Sequence, residues 1–166
     1  MAMQMVLFVC LGNIVRSPLA EALFNSLAAE RGLDDKFAAD SAGIGAWHVG
    51  EPPDERMRAV AAKHGVHYWH SARQVDRQMV ADADLIVVMD EDNYADLRAL
   101  FPNEALPEKI RYLRQFDPEA KGDLSVPDPY YGNEKAFENV YRIIRRSVEG
   151  LLDALERGEL PPPIHG

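Results

Sequence analysis

Apolar and polar positions along the chain switch between the period of strands and the period of helices. Met5–Val9 is a short apolar run ending at Cys10, and it predicts a strand. Leu11–Arg16 holds the loop formers Gly12 and Asn13. Beyond that loop, Ala20, Leu23, Phe24, Leu27 and Ala28 fall on one helical stripe, with Ser17 as the expected N-cap, Pro18 in the first helical position and Gly32 at the C-terminal cap. Phe37–Ser41 predicts a second strand followed by a Gly-rich turn, and Asp54–His64 a helix ended by Gly65. Leu85–Met89 is uninterrupted apolar sequence, as expected of a strand covered on both faces of a parallel sheet. A helix over Glu91–Phe101 stops at Pro102, and Ile110–Leu113 is the expected last strand. After the Pro/Gly-rich segment Asp117–Gly132, the residues Phe137, Val140, Tyr141, Ile144, Val148, Leu151, Leu152 and Leu155 repeat with a clean helical period. Strands alternating with helices predict one α/β domain over residues 1–160, built on a parallel sheet with right-handed crossovers. Residues 161–166 read as a frayed tail. Ligands in such folds bind beyond the carboxyl ends of the strands, where Cys10 falls.

Composition narrows the chemistry. Of the 166 residues 47% are apolar and 27% charged, which excludes wholesale disorder. No apolar run approaches the roughly 18 residues of a membrane span, and Met1–Cys10 lacks the basic region and cleavage site of a secretory signal. Eighteen basic residues stand against 27 acidic ones, a net charge of −9, which argues against nucleic acid or an anionic membrane as partner. An anionic substrate must therefore be caught by local donors. With Cys10 as the only cysteine, neither an intrachain disulfide nor a Cys-rich zinc site can form, and a reducing compartment, the cytoplasm, is the expected location. His64, His67 and His70 have a metal-like spacing, but Gly65 and Val66 break the helix that would align them; neither metal nor cofactor is expected. Asp82, Asp84, Asp90, Glu91, Asp92 and Asp96 read as a solvated face with capping roles.

A lone cysteine is by default a small buried hydrophobe. The neighbours of Cys10 argue for more. In Cys10-Leu11-Gly12-Asn13-Ile14-Val15-Arg16-Ser17, five residues separate a thiol from an Arg-Ser pair, between a strand and a helix N-terminus. Loop amides there can point inward as an anion nest backed by the helix dipole, a field that stabilises a thiolate. Arg16 adds a planar fork able to hold two phosphate oxygens. The combination is a nucleophile at the base of a cradle for a tetrahedral dianion.

The run Cys10–Glu21 closely resembles the signature of the low-molecular-weight protein tyrosine phosphatases. The resemblance continues, in family order, through Asp40-Ser41-Ala42-Gly43, Trp47-His48-Val49-Gly50, His70-Ser71-Ala72-Arg73-Gln74, Met89-Asp90 and Asp128-Pro129-Tyr130-Tyr131. It implies a four-stranded, twisted parallel sheet of the Rossmann-like or flavodoxin-like kind, with helices on both faces. It also implies hydrolysis of phosphotyrosine in protein substrates through a cysteinyl-phosphate, with inorganic phosphate or other oxyanions able to occupy the site.

Residue by residue, the resemblance makes Cys10 the nucleophile, residues 11–17 the phosphate-binding loop and Asp128 the general acid. From the sequence alone Asp128 is either that acid or an ordinary turn aspartate. It stands between Pro127 and Pro129, no Lys or Arg occurs from Gly122 to Glu134, and an apolar setting would favour its protonated form. Ser17 can donate to the thiolate as well as cap the helix. Asn13 is either a left-handed turn residue or, with Ser41 and His70, part of a network that stiffens the loop. The resemblance builds the pocket wall from Leu11, Ile14, Trp47, Tyr130 and Tyr131, with His48 on the rim, although Trp47 could equally be a core residue. Two relatives of other activity compete. Protein arginine phosphatases carry Thr where Ile14 stands, and arsenate reductases need cysteines this chain lacks. One departure is Val15, where most relatives have a second cysteine able to trap an oxidised catalytic thiol.

Overall fold

The computed structural model describes residues 3–165 and contains one four-stranded sheet. Its strands are β1 (Gln4–Cys10), β2 (Phe37–Gly43), β3 (Leu85–Val88) and β4 (Ile110–Tyr112), in the order β2-β1-β3-β4, and all pair in parallel. The helices are α1 (Arg16–Glu30), α2 (Glu55–Lys63), α3 (Arg77–Asp82), α4 (Glu91–Leu100) and α5 (Glu134–Arg157). β1 and β3 are buried on both faces because each face meets its own apolar layer. Phe8 and Val87 pack among side chains of α1, α2 and α5, while Val9, Ile86 and Val88 pack with Val80 of α3 and Leu97 of α4. The first crossover runs from β1 to β2 on one side, and the next returns from β2 past β1 to β3 on the other, so a crevice opens at the carboxyl end of β1. Cys10 is the last residue of that strand.

The short 3₁₀ turn Leu113–Phe116 docks against α5. The fully buried carboxylate of Asp117 accepts from Arg114 and Arg146, which ties the end of that turn to the helix. Mid-helix Gly150 permits the approach: a Cβ there would stand 2.0 Å from the Phe116 carbonyl oxygen. Glycine costs a helix about 1 kcal/mol against alanine. Here the backbone contact requires it.

The α1 start differs from the capping expected. The helix begins at Arg16, its N-cap is Val15, and no side chain caps it. Ser17 lies inside the first turn, because its hydroxyl is committed elsewhere, as described below. α3 was not legible: with six residues and one buried side chain, Val80, it carries too little periodicity. The tail also departs from the frayed segment expected. Arg111 Nε donates to the Pro161 carbonyl at 2.7 Å, Gln115 Nε2 to the Pro162 carbonyl at 3.0 Å, and the His165 ring stacks on Tyr94 at 4.1 Å between centroids. These residues cover the flank of the edge strand β4, while Gly166 lies outside the described residues. Among the described residues, no helix is long and apolar enough to cross a membrane.

Candidate active site

The loop after β1 is shaped by where its carbonyls go. Cys10 O accepts from Ile44 N at 2.9 Å, Leu11 O from Gly45 N at 2.9 Å, and Ile14 O from Asp54 N at 2.8 Å. Three carbonyls are thus pinned outward. In a trans peptide the following N–H points the opposite way, so the amides of Leu11, Gly12 and Val15 turn towards the interior. The uncapped first turn of α1 leaves its own amides free to face the same centre. Asn13 N–H reaches Cys10 Sγ at 3.3 Å. Asn13 makes the bend with φ +58°, the left-handed region asparagine tolerates.

Besides its left-handed backbone, Asn13 has a side chain at the hub of a buried network. The backbone N–H of Arg73 can only donate, and it meets Asn13 Oδ1 at 3.0 Å, which fixes the amide orientation. Nδ2 therefore donates to Ser17 Oγ at 2.8 Å and Ser41 Oγ at 3.0 Å. Ser17 Oγ also lies 2.9 Å from Cys10 Sγ, where the hydroxyl can donate to a thiolate. Ser17 faces the sulfur and does not cap the helix. Ser41 passes its own proton to Glu21 Oε1 at 2.7 Å, and His70 Nε2 is 2.7 Å from Asn13 Oδ1. Because Oδ1 is an acceptor, the His70 proton sits on Nε2 and Nδ1 faces Glu21 Oε1 at 3.6 Å.

That last pair is close enough for an ion pair, yet its surroundings favour neutrality. Burial raises Glu21 from 4.5 to about 7, the charge of Asp40 acting in the same direction, against the Ser41 hydrogen bond and Arg73. Burial and the Arg73 cation lower His70, against Asp40. A carboxyl raised in the fold keeps a proton that the unfolded chain releases, so its contribution to stability is complete below pH 4.5 and is lost as pH rises to about 7. Glu21→Gln is expected to gain stability relative to wild type across that window. Urea unfolding of both proteins from pH 4 to 8 checks it, and a constant difference would show that Glu21 does not titrate there.

Arg16 is 2% exposed, and its orientation is set by two long-range contacts. Nη1 donates to Asp90 Oδ2 at 2.7 Å and to the Val126 carbonyl at 2.9 Å. One edge of the guanidinium is thereby occupied, and Nε with Nη2 remains as a two-toothed edge for phosphate. Burial opposes the charge, but the facing Cys10 and the Asp90 and Asp128 carboxylates raise the guanidinium above its ordinary value. Asp90 therefore leaves the solvated face expected of it: one oxygen caps α4 through Asn93 N and the other anchors Arg16.

A cavity of about 210 Å³ opens over Cys10, lined by Leu11, Gly12, Ile14, Val15, Arg16, Trp47, His48, Asp128, Tyr130 and Tyr131. Trp47 is 71% exposed and Tyr131 97%, so both are free walls and not core. His48 bonds Glu51 at 2.9 Å beneath the rim. Ser41 and His70 lie behind the loop. Asp128 is not in the apolar setting expected. Its carboxylate is 42% exposed, accepts from Tyr130 N at 3.1 Å, and stands 3.7 Å from Arg16 Nη2, a cation brought by the fold and not by a sequence neighbour. His64 takes no part: it bonds Glu138 at 2.6 Å and stacks on Tyr141.

Glu21, Asp90 and Arg73 act here without having been expected to. All three fall in segments that carry the family resemblance, but no role in the site had been given to them. Asp90 also lies at the carboxyl end of a predicted strand.

Comparison with known proteins agrees with this geometry. The model of the low molecular weight phosphotyrosine protein phosphatase family matches residues 5–160. A low molecular weight protein-tyrosine-phosphatase of Streptomyces coelicolor is 46% identical over 151 residues, 90% of this chain and 92% of its own length. The crystal structure of a protein tyrosine phosphatase from Entamoeba histolytica, with Hepes in its active site, is similar with a TM-score of 0.87 and 39% identity, covering 95% of this chain and 99% of that one. An arginine phosphatase from Drosophila is similar with a TM-score of 0.83 and 34% identity over 91% of this chain and 97% of its own.

Proposed function

Because the chain belongs to the low molecular weight phosphotyrosine protein phosphatase family, it is a protein-tyrosine-phosphatase, and we propose that it acts by double displacement with Cys10 as the nucleophile. The Cys10 thiolate attacks phosphorus, the S–P bond forms and the P–O bond to the aryl group breaks. Inward amides and the free edge of Arg16 hold the equatorial oxygens, over which the transition-state charge is spread. Asp128 gives its proton to the departing phenolate oxygen. Water then attacks the cysteinyl-phosphate, Asp128 takes its proton, and the thiolate leaves while the Ser17 hydroxyl donates to it.

One observation carries this reading: the thiol, the guanidinium and the carboxylate line a single cavity beneath an aromatic rim. The substrates are proteins bearing phosphotyrosine, whose ring passes between Trp47 and Tyr130 to reach the sulfur. The Hepes in the Entamoeba relative carries a sulfonate, an oxyanion of the kind the cradle is shaped to hold. A single thiol and the absence of a membrane-crossing helix among the described residues support action in the cytoplasm.

Phosphoarginine is the competing substrate, given the likeness to the Drosophila arginine phosphatase. Ile14 favours the aryl ester: it is 8% exposed, apolar and part of the cavity wall, and offers no hydrogen bond to a guanidinium. Arsenate reduction lacks the further thiols it requires. Peptides bearing phosphotyrosine, phosphoserine or phosphoarginine, hydrolysed side by side with and without vanadate, test the reading. Phosphotyrosine is expected to be fastest and vanadate to block it; a preference for phosphoarginine would overturn it.

A further inference from the structure

The segment that carries Asp128 is held to the rest of the molecule by little. Val126 is fixed at its base by Met89 O and Arg16. From Pro127 to Gly132, among the described residues, one hydrogen bond reaches outside the segment: Arg56 Nη1 donates to the Tyr130 carbonyl at 2.8 Å. The other hydrogen bonds of this stretch are its own, Tyr130 N to Asp128 and Gly132 N to Pro129, and the Asp128 carboxylate stands 3.7 Å from Arg16 Nη2.

Arg56 is well placed to hold that carbonyl still. Its Nε and Nη2 engage both oxygens of Asp54, at 3.2 and 2.8 Å. The guanidinium lies 4.6 Å from the centroid of the Phe137 ring and 5.2 Å from that of Tyr130. Asp54 in turn is bound to the cradle, because its N–H donates to Ile14 O at 2.8 Å. A continuous set of contacts therefore runs from the phosphate loop through Asp54 and Arg56 to Tyr130, and from Tyr130 N–H to the carboxylate.

We propose that Arg56 is a positioning residue that sets the height of Asp128 over the cradle, so that its proton meets the leaving oxygen. The role needs a planar fork. Three N–H directions are used at once, two on Asp54 and one on Tyr130, and an ammonium on a flexible stem cannot hold all three. The Arg56 side chain is 48% exposed, so its pair with Asp54 contributes little to stability, and its effect falls on geometry. A misplacement of about 1 Å costs on the order of 10²-fold in rate. The proposal rests on Asp128 being the general acid.

The test compares wild type, Arg56→Met, Arg56→Lys, Asp128→Ala and the double variant Arg56→Met with Asp128→Ala. Met keeps an apolar stem over Phe137 without the donors. Arg56→Met is expected to lower kcat on a phosphotyrosine peptide by about 10- to 100-fold. On an aryl phosphate with an acidic phenol it should run close to wild type, with inhibition by inorganic phosphate unchanged. Lys should fall between Met and Arg. In the Asp128→Ala background the Met substitution should cost nothing further, which a merely structural role would not produce. Equal losses on good and poor leaving groups, a loss that persists without Asp128, or a fully active Lys variant would each overturn the proposal. If Asp128→Ala alone shows no dependence on the leaving group, the acid assignment itself fails, a result distinct from any of these. Thermal unfolding of each variant reports folding, and should Met not fold, the Lys variant carries the same comparison.

Discussion

Cys10→Ser is expected to abolish turnover on every phosphomonoester while inorganic phosphate still binds. Serine keeps the size and place of the side chain but presents a hydroxyl in place of a thiolate. At neutral pH it supplies almost no anion, and no base stands within the described contacts of Cys10 to make one, since Ser17 and the Asn13 amide face it as donors. Losing a nucleophile with no substitute costs on the order of 10⁴ or more. Binding survives because the inward amides and the free edge of Arg16 are untouched. Serine is no larger than cysteine and carries no charge, so phosphate should bind about as tightly as before. Calorimetric titration with phosphate, beside a turnover assay and a search for phosphorylated enzyme by intact mass, measures both halves. Activity at a tenth of wild type, or phosphate binding lost together with turnover, would remove Cys10 from the role given to it.

Asp128→Ala is the second large effect. Protonation of the leaving group contributes typically 10²–10⁴-fold, so kcat on phosphotyrosine should fall by about that range. The diagnostic is the dependence on leaving group. A phenolate that is already stable departs without a proton, so the loss should shrink steadily as the phenol becomes more acidic. A series of aryl phosphates measured with both proteins gives the slope, and parallel lines would mean that Asp128 does something other than donate a proton.

What the sequence could reveal about this site depended on distance along the chain. Cys10, Arg16 and Ser17 were visible together because a strand–loop–helix transition holds them in one stretch, and the buried run at β3 announced itself by having no polar residue at all. Ser17 illustrates the limit. A serine before a helical stripe reads as a cap, yet the fold sets its hydroxyl between the Asn13 amide and the Cys10 sulfur instead. Asp90 reads as one acid among many until the parallel register of β1 and β3 sets it beside the guanidinium. Glu21 carries no mark of its own in the sequence until the fold sets it, half-buried, against Ser41 and His70. Likewise nothing local tells that Pro161 and Pro162 find donors on Arg111 and Gln115.

The guanidinium of Arg16 is anchored 74 residues away at Asp90 and 110 residues away at Val126. During synthesis the nucleophile therefore leaves the ribosome long before its site can exist. A nascent chain that has emerged through β3 already has its thiol, its loop and its first helix, yet the fork that must grip phosphate has no fixed edge. Loop-closure entropy makes contacts of such span costly to form. A fragment ending before Val126 lacks both the second anchor of Arg16 and the Asp128 carboxylate of the same cavity. Activity in this molecule therefore depends on residues drawn from most of the polypeptide.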